Sequence, residues 1–254
     1  MASAMVHGVI ARGITPDHIA VRGGSGASAH NLAGETGVRL ARDLPALLTN
    51  AEVFVLACKP QHLASLPEEL ADLTEGRLVV SVLAGVTTER LRRVFPKARA
   101  VVRAMPNTPG SIGAGVTPYS PAEPLSLADA ALAESLLGAL GKTFPVPEDK
   151  MDAVTAAAGS GPGFLFEIVE TMERTAVELG LTPEEAALLV RETFIGSAKL
   201  LEKSLKAPGE LRDAVTSPNG TTYAGLCAMR AAGMADVLRA TMTACRDRSR
   251  ELGR

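Results

Sequence analysis

The sequence predicts an α/β domain built on a doubly wound parallel sheet over residues 1–147, followed by an all-helical domain over residues 148–254. Three observations carry this reading. Residues 53–58 (VFVLAC), 78–83 (LVVSVL) and 100–104 (AVVRA) are apolar almost throughout, as parallel strands are when helices cover both faces of their sheet. Stretches with helical spacing separate these runs at lengths that suit crossover connections. After Pro147 the strand-like runs stop, and long amphipathic helical patterns continue to the end.

Taken in order, residues 1–10 (MASAMVHGVI) read as a helix and residues 18–22 (HIAVR) as a strand. Helices expected at 43–50, 67–73 and 88–94 alternate with the three apolar strands. Further strands near 115–119 and 143–146 flank a helix at 125–140. In the second half, Thr182 supplies an N-cap, Pro183 the favoured first helical residue and Glu185 the capping-box acid, so a helix starts there and runs to about residue 205. Two more helices are expected at 221–232 and 234–252. The Ala and Leu positions of the whole helical half outnumber what a small bundle needs inside, which predicts dimerisation.

Composition narrows the partners. With 254 residues, 46% of them hydrophobic, the chain buries an ample core. A net charge of -2 without any dense Lys/Arg block gives no electrostatic reason to bind nucleic acid or an anionic membrane surface, so small solutes are expected. Cys58, Cys227 and Cys245 lack CxxC or His-rich spacing, which argues against a metal site or a disulfide framework and fits a reducing cytoplasm. No charged region leads into an apolar one at the N-terminus, and no apolar run approaches membrane-spanning length. His7, His18, His30 and His62 are dispersed and read as surface or loop residues.

The segment that most suggests chemistry is 216–225 (TSPNGTTYAG). Ser217 and Asn219 suit helix capping, Pro218 stiffens the turn and Gly220 tolerates positive φ, so backbone N–H groups can converge on a small carboxylate. An ordinary helix-to-helix turn accounts for the same residues equally well. Three other segments join it: 57–60 (ACKP) after one strand, 105–109 (MPNTP) after another and 159–162 (GSGP) opening the helical half. With 211–225 (LRDAVTSPNGTTYAG) and the closing 248–252 (RSREL), the chain resembles the Δ1-pyrroline-5-carboxylate reductases, NAD(P)H enzymes that make proline. The resemblance spans nearly the whole chain. MPNTP and the LRDAVTSPNGTT stretch are its specific parts, whereas ACKP and GSGP alone are weak.

The resemblance implies an N-terminal Rossmann domain and a helical domain that interleaves with a second subunit, as a homodimer or a ring of dimers. It implies that the backbone amides of Asn219, Gly220 and Thr221 hold the substrate carboxylate while the catalytic Thr222 hydroxyl meets the ring nitrogen. Ser217 is a second hydroxyl there, with capping and ligand roles both open. On the cofactor side it implies Ala57, Cys58, Lys59 and Pro60 near the cofactor and Asn107 near the nicotinamide, at carboxyl ends of strands. For Cys58 a small buried hydrophobe is the expected role, and for Lys59 a solvated surface lysine is the alternative. Val82, Leu83 and Ala84 match a third cofactor-lining segment, although core packing explains them as well. Arg22 ends a strand with no acid beside it to bind a ribose 2′-hydroxyl, which favours NADP with NAD possible; an exposed Arg without a ligand is the alternative.

By the family's pattern a first strand and a GxGxxG-type loop precede the helix at residues 1–10, so the chain starts about ten residues late. The segment Gly23-Gly24-Ser25-Gly26 follows the wrong strand to replace that loop. The missing first strand would be central, which leaves two strands with open edges; a translation start upstream of Met1 is the favoured account, and a damaged enzyme the other. Asn219 replaces the family's usual Gly, Gly163 its Ala, Arg230 its acid and Ala214 an amide that often touches the ligand, while Leu205 and Leu44 stand where some members have Glu and Asn. A β-hydroxyacid dehydrogenase would need a catalytic Lys, and Lys199 and Lys203 lack that family's motif. A truncated, non-catalytic oligomerising homologue unable to bind cofactor is the reading from a different class.

Overall fold

The computed structural model describes residues 1–24 and 27–253. It forms two compact units, Met1–Ser160 together with Ala244–Arg254, and Gly161–Thr243.

The strands of the first unit are β1 (Ala20–Val21), β2 (Arg39–Leu40), β3 (Val53–Leu56), β4 (Leu78–Ser81), β5 (Ala100–Ala104), β6 (Gly115–Pro121) and β7 (Gly141–Pro145). Its helices are α1 (Ala2–Ala11), α2 (Ser28–Thr36), α3 (Leu44–Leu48), α4 (Leu70–Leu73), α5 (Thr88–Val94), α6 (Leu127–Gly138) and α7 (Met151–Val154). A five-stranded sheet runs in the order β3-β4-β5-β6-β7, with β3, β4 and β5 parallel, β6 antiparallel to β5, and β7 parallel to β6. A separate two-stranded parallel sheet joins β1 to β2. Among the described residues β1 pairs only with β2 and β3 only with β4, so each has one edge without a strand partner.

The apolar runs of β4 and β5 follow from their burial on both faces. Successive side chains feed opposite cores. Val79 and Val101 pack with Leu48, Phe54, Leu91 and Phe95 on one face, while Leu78, Val80, Ala100 and Val102 pack with Met5, Leu137 and Leu140 on the other. Each such Leu or Val contributes roughly 1.5–3 kcal/mol when fully buried. Local chemistry starts the helices: Asp43 Oδ1 accepts from Ala46 N at 2.7 Å before α3, and Thr87 Oγ1 from Arg90 N at 3.2 Å before α5. Helix α1 lies against the sheet's second face through Met5, and a Cβ on its Gly8 would come within 2.6 Å of Ala139 O.

The second unit holds α8 (Gly161–Glu178), α9 (Pro183–Lys203), α10 (Pro208–Ala214), α11 (Thr221–Ala231) and the start of α12 (Met234–Gly253), whose residues from Ala244 belong to the first unit. The capping box before α9 is complete: Thr182 Oγ1 accepts from Glu185 N at 3.2 Å and Glu185 Oε2 from Thr182 N at 2.9 Å. Helices α8 and α9 pack together, bridged by Arg191 Nε and Glu173 Oε1 at 2.7 Å. Strands end with β7 at Pro145, beside the sequence boundary at residue 147, whereas the units part after Ser160. The intervening α7 and a π-helical turn at Thr155–Gly159 bury Met151, Thr155 and Ala156, and α7 packs on β6.

Candidate active site

Because β3, β4 and β5 are parallel and in register, Leu56, Ser81 and Ala104 deliver the chain to one edge of the sheet. Beyond β3, Ala57 and Cys58 are half-buried, Lys59 is exposed, and Lys59 enters a 3-10 turn at Pro60–Ser65 in extended conformation. Burial pushes the Cys58 thiol above its ordinary value of 9.0, only partly offset by a backbone hydrogen bond. This is the small hydrophobe the sequence suggests, packed against the first core. Beyond β4, the Leu83 side chain belongs to that core while Val82 packs on the other, and Leu83 N donates to Ser81 Oγ at 3.3 Å.

Asn107, beyond β5, spends most of its amide internally. Its Nδ2 donates to Ala158 O at 3.2 Å and its Oδ1 accepts from Val116 N at 3.0 Å, so it ties the MPNTP loop to the π-helical turn and to β6. Three sequence segments then converge. An apolar cavity of about 200 Å³ is lined by Ala84 and Gly85 after β4, by Met105 after β5, by Thr155, Gly159 and Ser160, and by residues of α12. Glycine at 159 lets the Met105 side chain lie directly against this backbone, where a Cβ would displace its terminal methyl. Residues 57–60 do not line the cavity.

The α12 wall, Cys245, Arg248, Ser249 and Leu252, and Thr155 are members that site reasoning from sequence missed. Cys245 Sγ donates to Ser160 Oγ at 2.9 Å across this cavity. The RSREL segment carries three of these residues and was the available signal. Their place opposite β4 and β5 depends on tertiary structure more than a hundred positions away in sequence, roughly the range at which no periodicity reports.

Arg22 lies elsewhere in the first unit, at a cavity of about 430 Å³ lined also by Gly23, Gly24, Ala29, His30, Leu40, Ala41 and Arg42. Its Nη1 donates to Arg42 O at 2.6 Å. Arg22, Arg42 and His30 therefore line one space at the end of β1, with Arg42 Nε donating to Asp43 Oδ2 at 3.2 Å. The remaining members of the glycine segment, Ser25 and Gly26, lie outside the described residues.

In the second unit, the loop before α11 holds Asn219 in the left-handed conformation at φ 59°. It departs from expectation at Gly220, which is extended at φ -74°, ψ 174°. Gly220 rather than Ser217 or Asn219 occupies the N-cap, with no side-chain cap hydrogen bond. The reason is a turn closed by Gly220 N donating to Ser217 O at 3.1 Å, which places the third residue of the turn in the region Asn tolerates. Space is tight at Gly220, since a Cβ there would displace the Ser217 hydroxyl and stand 3.2 Å from Ser217 O. The N–H groups of Thr221, Thr222 and Tyr223 consequently have no hydrogen-bond partner among the described residues, and the side chains of Ser217, Asn219, Thr221 and Thr222 are exposed beside them. Such donors at a positive helix end suit a carboxylate.

Known proteins share the sequence and the fold of this chain. Residues 148–252 match the pyrroline-5-carboxylate reductase dimerisation family, and residues 1–85 match a family described as NADP oxidoreductase, coenzyme F420-dependent. Pyrroline-5-carboxylate reductase 2 of Bacillus subtilis is 38% identical over 232 residues, which cover 91% of this chain and 84% of the relative. The Synechocystis pyrroline-5-carboxylate reductase is 35% identical over 255 residues, covering 100% of this chain and 95% of the relative. Among solved structures, a pyrroline-5-carboxylate reductase from Coxiella burnetii superposes with a TM-score of 0.91 at 35% identity, covering 100% of this chain and 95% of its own. The Plasmodium falciparum pyrroline carboxylate reductase with NADP bound shares the fold at a TM-score of 0.88 and 24% identity, covering 99% of this chain and 94% of its own. Identity of this level over nearly the full length, on a fold whose strand ends gather the MPNTP and GSGP segments into one cavity, establishes that the chain belongs to the pyrroline-5-carboxylate reductase family.

Proposed function

We propose that this chain reduces 1-pyrroline-5-carboxylate to L-proline with NADPH, NADH being the second choice of cofactor. The observation that carries the reading is the start of α11, where three partnerless backbone N–H groups stand beside the exposed Thr222 hydroxyl. The substrate is a five-membered cyclic imine with a carboxylate, and the loop offers one feature for each part. The donors at Asn219, Gly220 and Thr221 are assigned to the carboxylate, although Gly220 N is already engaged with Ser217 O and leaves more of that task to Thr221 and Thr222. Anchoring the carboxylate fixes the ring, which is the larger part of the rate gain for a reaction between two held partners.

The reduced nicotinamide, when bound, supplies the hydride taken by the imine carbon. As that bond forms, the C=N electron pair withdraws to nitrogen, which takes a proton through the Thr222 hydroxyl. Solvent replaces the proton on the exposed side chain. For the cofactor, Arg22, Arg42 and His30 around one cavity fit the phosphate that distinguishes NADP from NAD. Ala84, Met105 and Asn107 are assigned to the nicotinamide end, Asn107 by holding the MPNTP loop. Residues 57–60 and Val82–Leu83 contribute by the course of their backbone. The working assembly is a homodimer or a ring of dimers in the cytoplasm; among the described residues no helix is long and apolar enough to cross a membrane.

The test is steady-state NADPH oxidation with pyrroline-5-carboxylate by the wild-type chain and by Thr222→Val. The wild type turns over, and the variant loses about a hundredfold in kcat, the scale of one proton-transfer group, while NADPH affinity holds. A wild type that binds NADPH without reducing the imine, or a variant with full kcat, refutes the assignment.

A further inference from the structure

We infer that Ser249, near the end of α12, is a positioning residue for the nicotinamide cofactor: through Asp152 it fixes the α12 wall of the cavity at the ends of β4 and β5. The inference rests on the cofactor reading above and starts from a buried charge which that reading leaves unused.

Arg103 lies on β5, in the middle of the five-stranded sheet, and is only 3% exposed. A lone guanidinium there would cost several kcal/mol, so the carboxylates around it are obligatory. Arg103 Nη1 donates to Glu148 Oε1 at 2.7 Å, and Nη2 stands 3.6 Å from Asp152 Oδ1. Glu148 Oε1 also accepts from Thr88 N at 3.2 Å, in the first turn of α5. Asp152 Oδ1 accepts from Ser249 Oγ at 2.7 Å, and Arg250 Nε lies 3.7 Å from its Oδ2. The network is incompletely satisfied, because Arg103 Nη2 and Glu148 Oε2 are buried without a hydrogen-bond partner. Apolar residues of similar volume are often as stable as such a cluster, so stability alone is a poor reason for it.

Its position supplies a better one. Arg103 precedes Met105 by two residues on the same strand end. Asp152 precedes Thr155 by three, one helical turn earlier and on the same face. Met105, Thr155 and Ser249 all line the 200 Å³ cavity. A single carboxylate, Asp152, therefore links three of its walls: β5 through Arg103, the π-helical turn through its own helix, and α12 through Ser249.

The same helix end is seated against the loop after β4. Gly85, at φ 76°, has no room for a side chain, since a Cβ would fall 2.8 Å from Leu252 Cβ and 3.1 Å from Ser249 O. Backbone contact at Gly85 and the hydroxyl on Asp152 thus set the width of an apolar slot at the carboxyl ends of parallel strands, where a flat ring binds. The sequence segment RSREL acquires a task by this geometry: Ser249 holds the wall and Leu252 is part of it.

The experiment compares full-length wild type with Ser249→Ala, Ser249→Thr and Leu252→Ala. NADPH is titrated by its fluorescence, and melting without cofactor, kcat and KM are recorded alongside. Ser249→Ala should raise the Kd and KM for NADPH about tenfold, the worth of one hydrogen bond to a charged group, with kcat changed less than about twofold. Ser249→Thr keeps the donor and should restore wild-type affinity. Leu252→Ala leaves the ion network intact on a side chain 42% exposed, and should weaken NADPH even where Ser249→Ala folds poorly. Wild-type affinity in Ser249→Ala or Leu252→Ala overturns the inference, as does a Thr variant no better than Ala. A wild type that binds NADPH but leaves the imine unreduced sinks the proposed reaction alone, whereas a wild type that does not bind NADPH sinks both.

Discussion

Asp129 is a carboxylate whose surroundings oppose one another. Burial raises its pKa, and the Arg99 guanidinium with the Ser126 hydroxyl more than reverses that, leaving it below the ordinary 3.8. The geometry is direct: Arg99 Nε donates to Oδ1 at 2.8 Å and Ser126 Oγ to Oδ2 at 2.9 Å, while Ser126 Oγ also caps α6 by accepting from Asp129 N at 3.1 Å. A depressed folded-state pKa means the carboxylate stabilises the fold fully above the unfolded value and loses that contribution as the pH falls through the folded one. Asp129→Asn should therefore cost about 1.5 kcal/mol at neutral pH, the worth of a charge-assisted hydrogen bond. In urea unfolding the gap from wild type should close only as the pH drops below 3.8; a gap that persists undiminished in acid would place its origin in packing instead. At this same scale the sequence was partly legible. Gly220 is the residue the sequence offers for positive φ, yet it is extended while its neighbour Asn219 takes the left-handed region at φ 59°. Which of two permissive neighbours takes the strained position depends on the Ser217–Gly220 turn hydrogen bond, which composition does not encode.

The loop before α11 is where element geometry becomes chemistry. Gly220 is in extended backbone that any residue adopts, so what a Cβ would disturb there is only the Ser217 hydroxyl and the 3.2 Å approach to Ser217 O. Gly220→Ala should push the Ser217 side chain and the first turn of α11 apart, raising the KM for pyrroline-5-carboxylate by about tenfold while the Kd for NADPH, assigned above to the first unit, stays unchanged. If both constants move together, the loop affects the fold rather than the carboxylate site. Elements of this kind differ in how openly the sequence announces them. Helix α5 falls at Thr88–Val94 and strand β5 at Ala100–Ala104, as expected, because a Thr87 cap starts the one and burial on both faces makes the other continuously apolar. Strand β2 is two exposed residues, Arg39–Leu40, and α2 mixes Ser, Asn, Gly and Thr, so neither leaves a periodic trace. The α12 wall was invisible as a site for another reason. Its helical pattern was plain, but nothing local says that the turns around Ser249 return to the strand ends.

The second unit cannot be explained as a body that folds for itself. Of its residues only Ala186 and Val190 are buried, whereas Phe166, Leu188, Leu189 and Leu200 are 63%, 64%, 53% and 56% exposed. That is the reverse of a small bundle's economy, in which the large side chains go inside. Its residues fall within the match to the dimerisation family, so we assign the missing burial to a second copy of the same chain. A two-fold interface presents each residue twice, which makes single changes there count double. Burying one Leu contributes roughly 2 kcal/mol, hence about 4 kcal/mol per position in a dimer, or about a thousandfold in dissociation constant. Leu188→Glu together with Leu189→Glu should thus convert a dimer at micromolar concentration into monomers in sedimentation equilibrium, and lower the melting temperature with it. The buried core of the first unit, centred on β4 and β5, has no share in that loss, so the monomers should retain the circular dichroism of a folded α/β domain. A double variant that stays dimeric would move the interface to another face of α8 or α9, and a wild type that sediments as a monomer would leave the exposed leucines without their explanation.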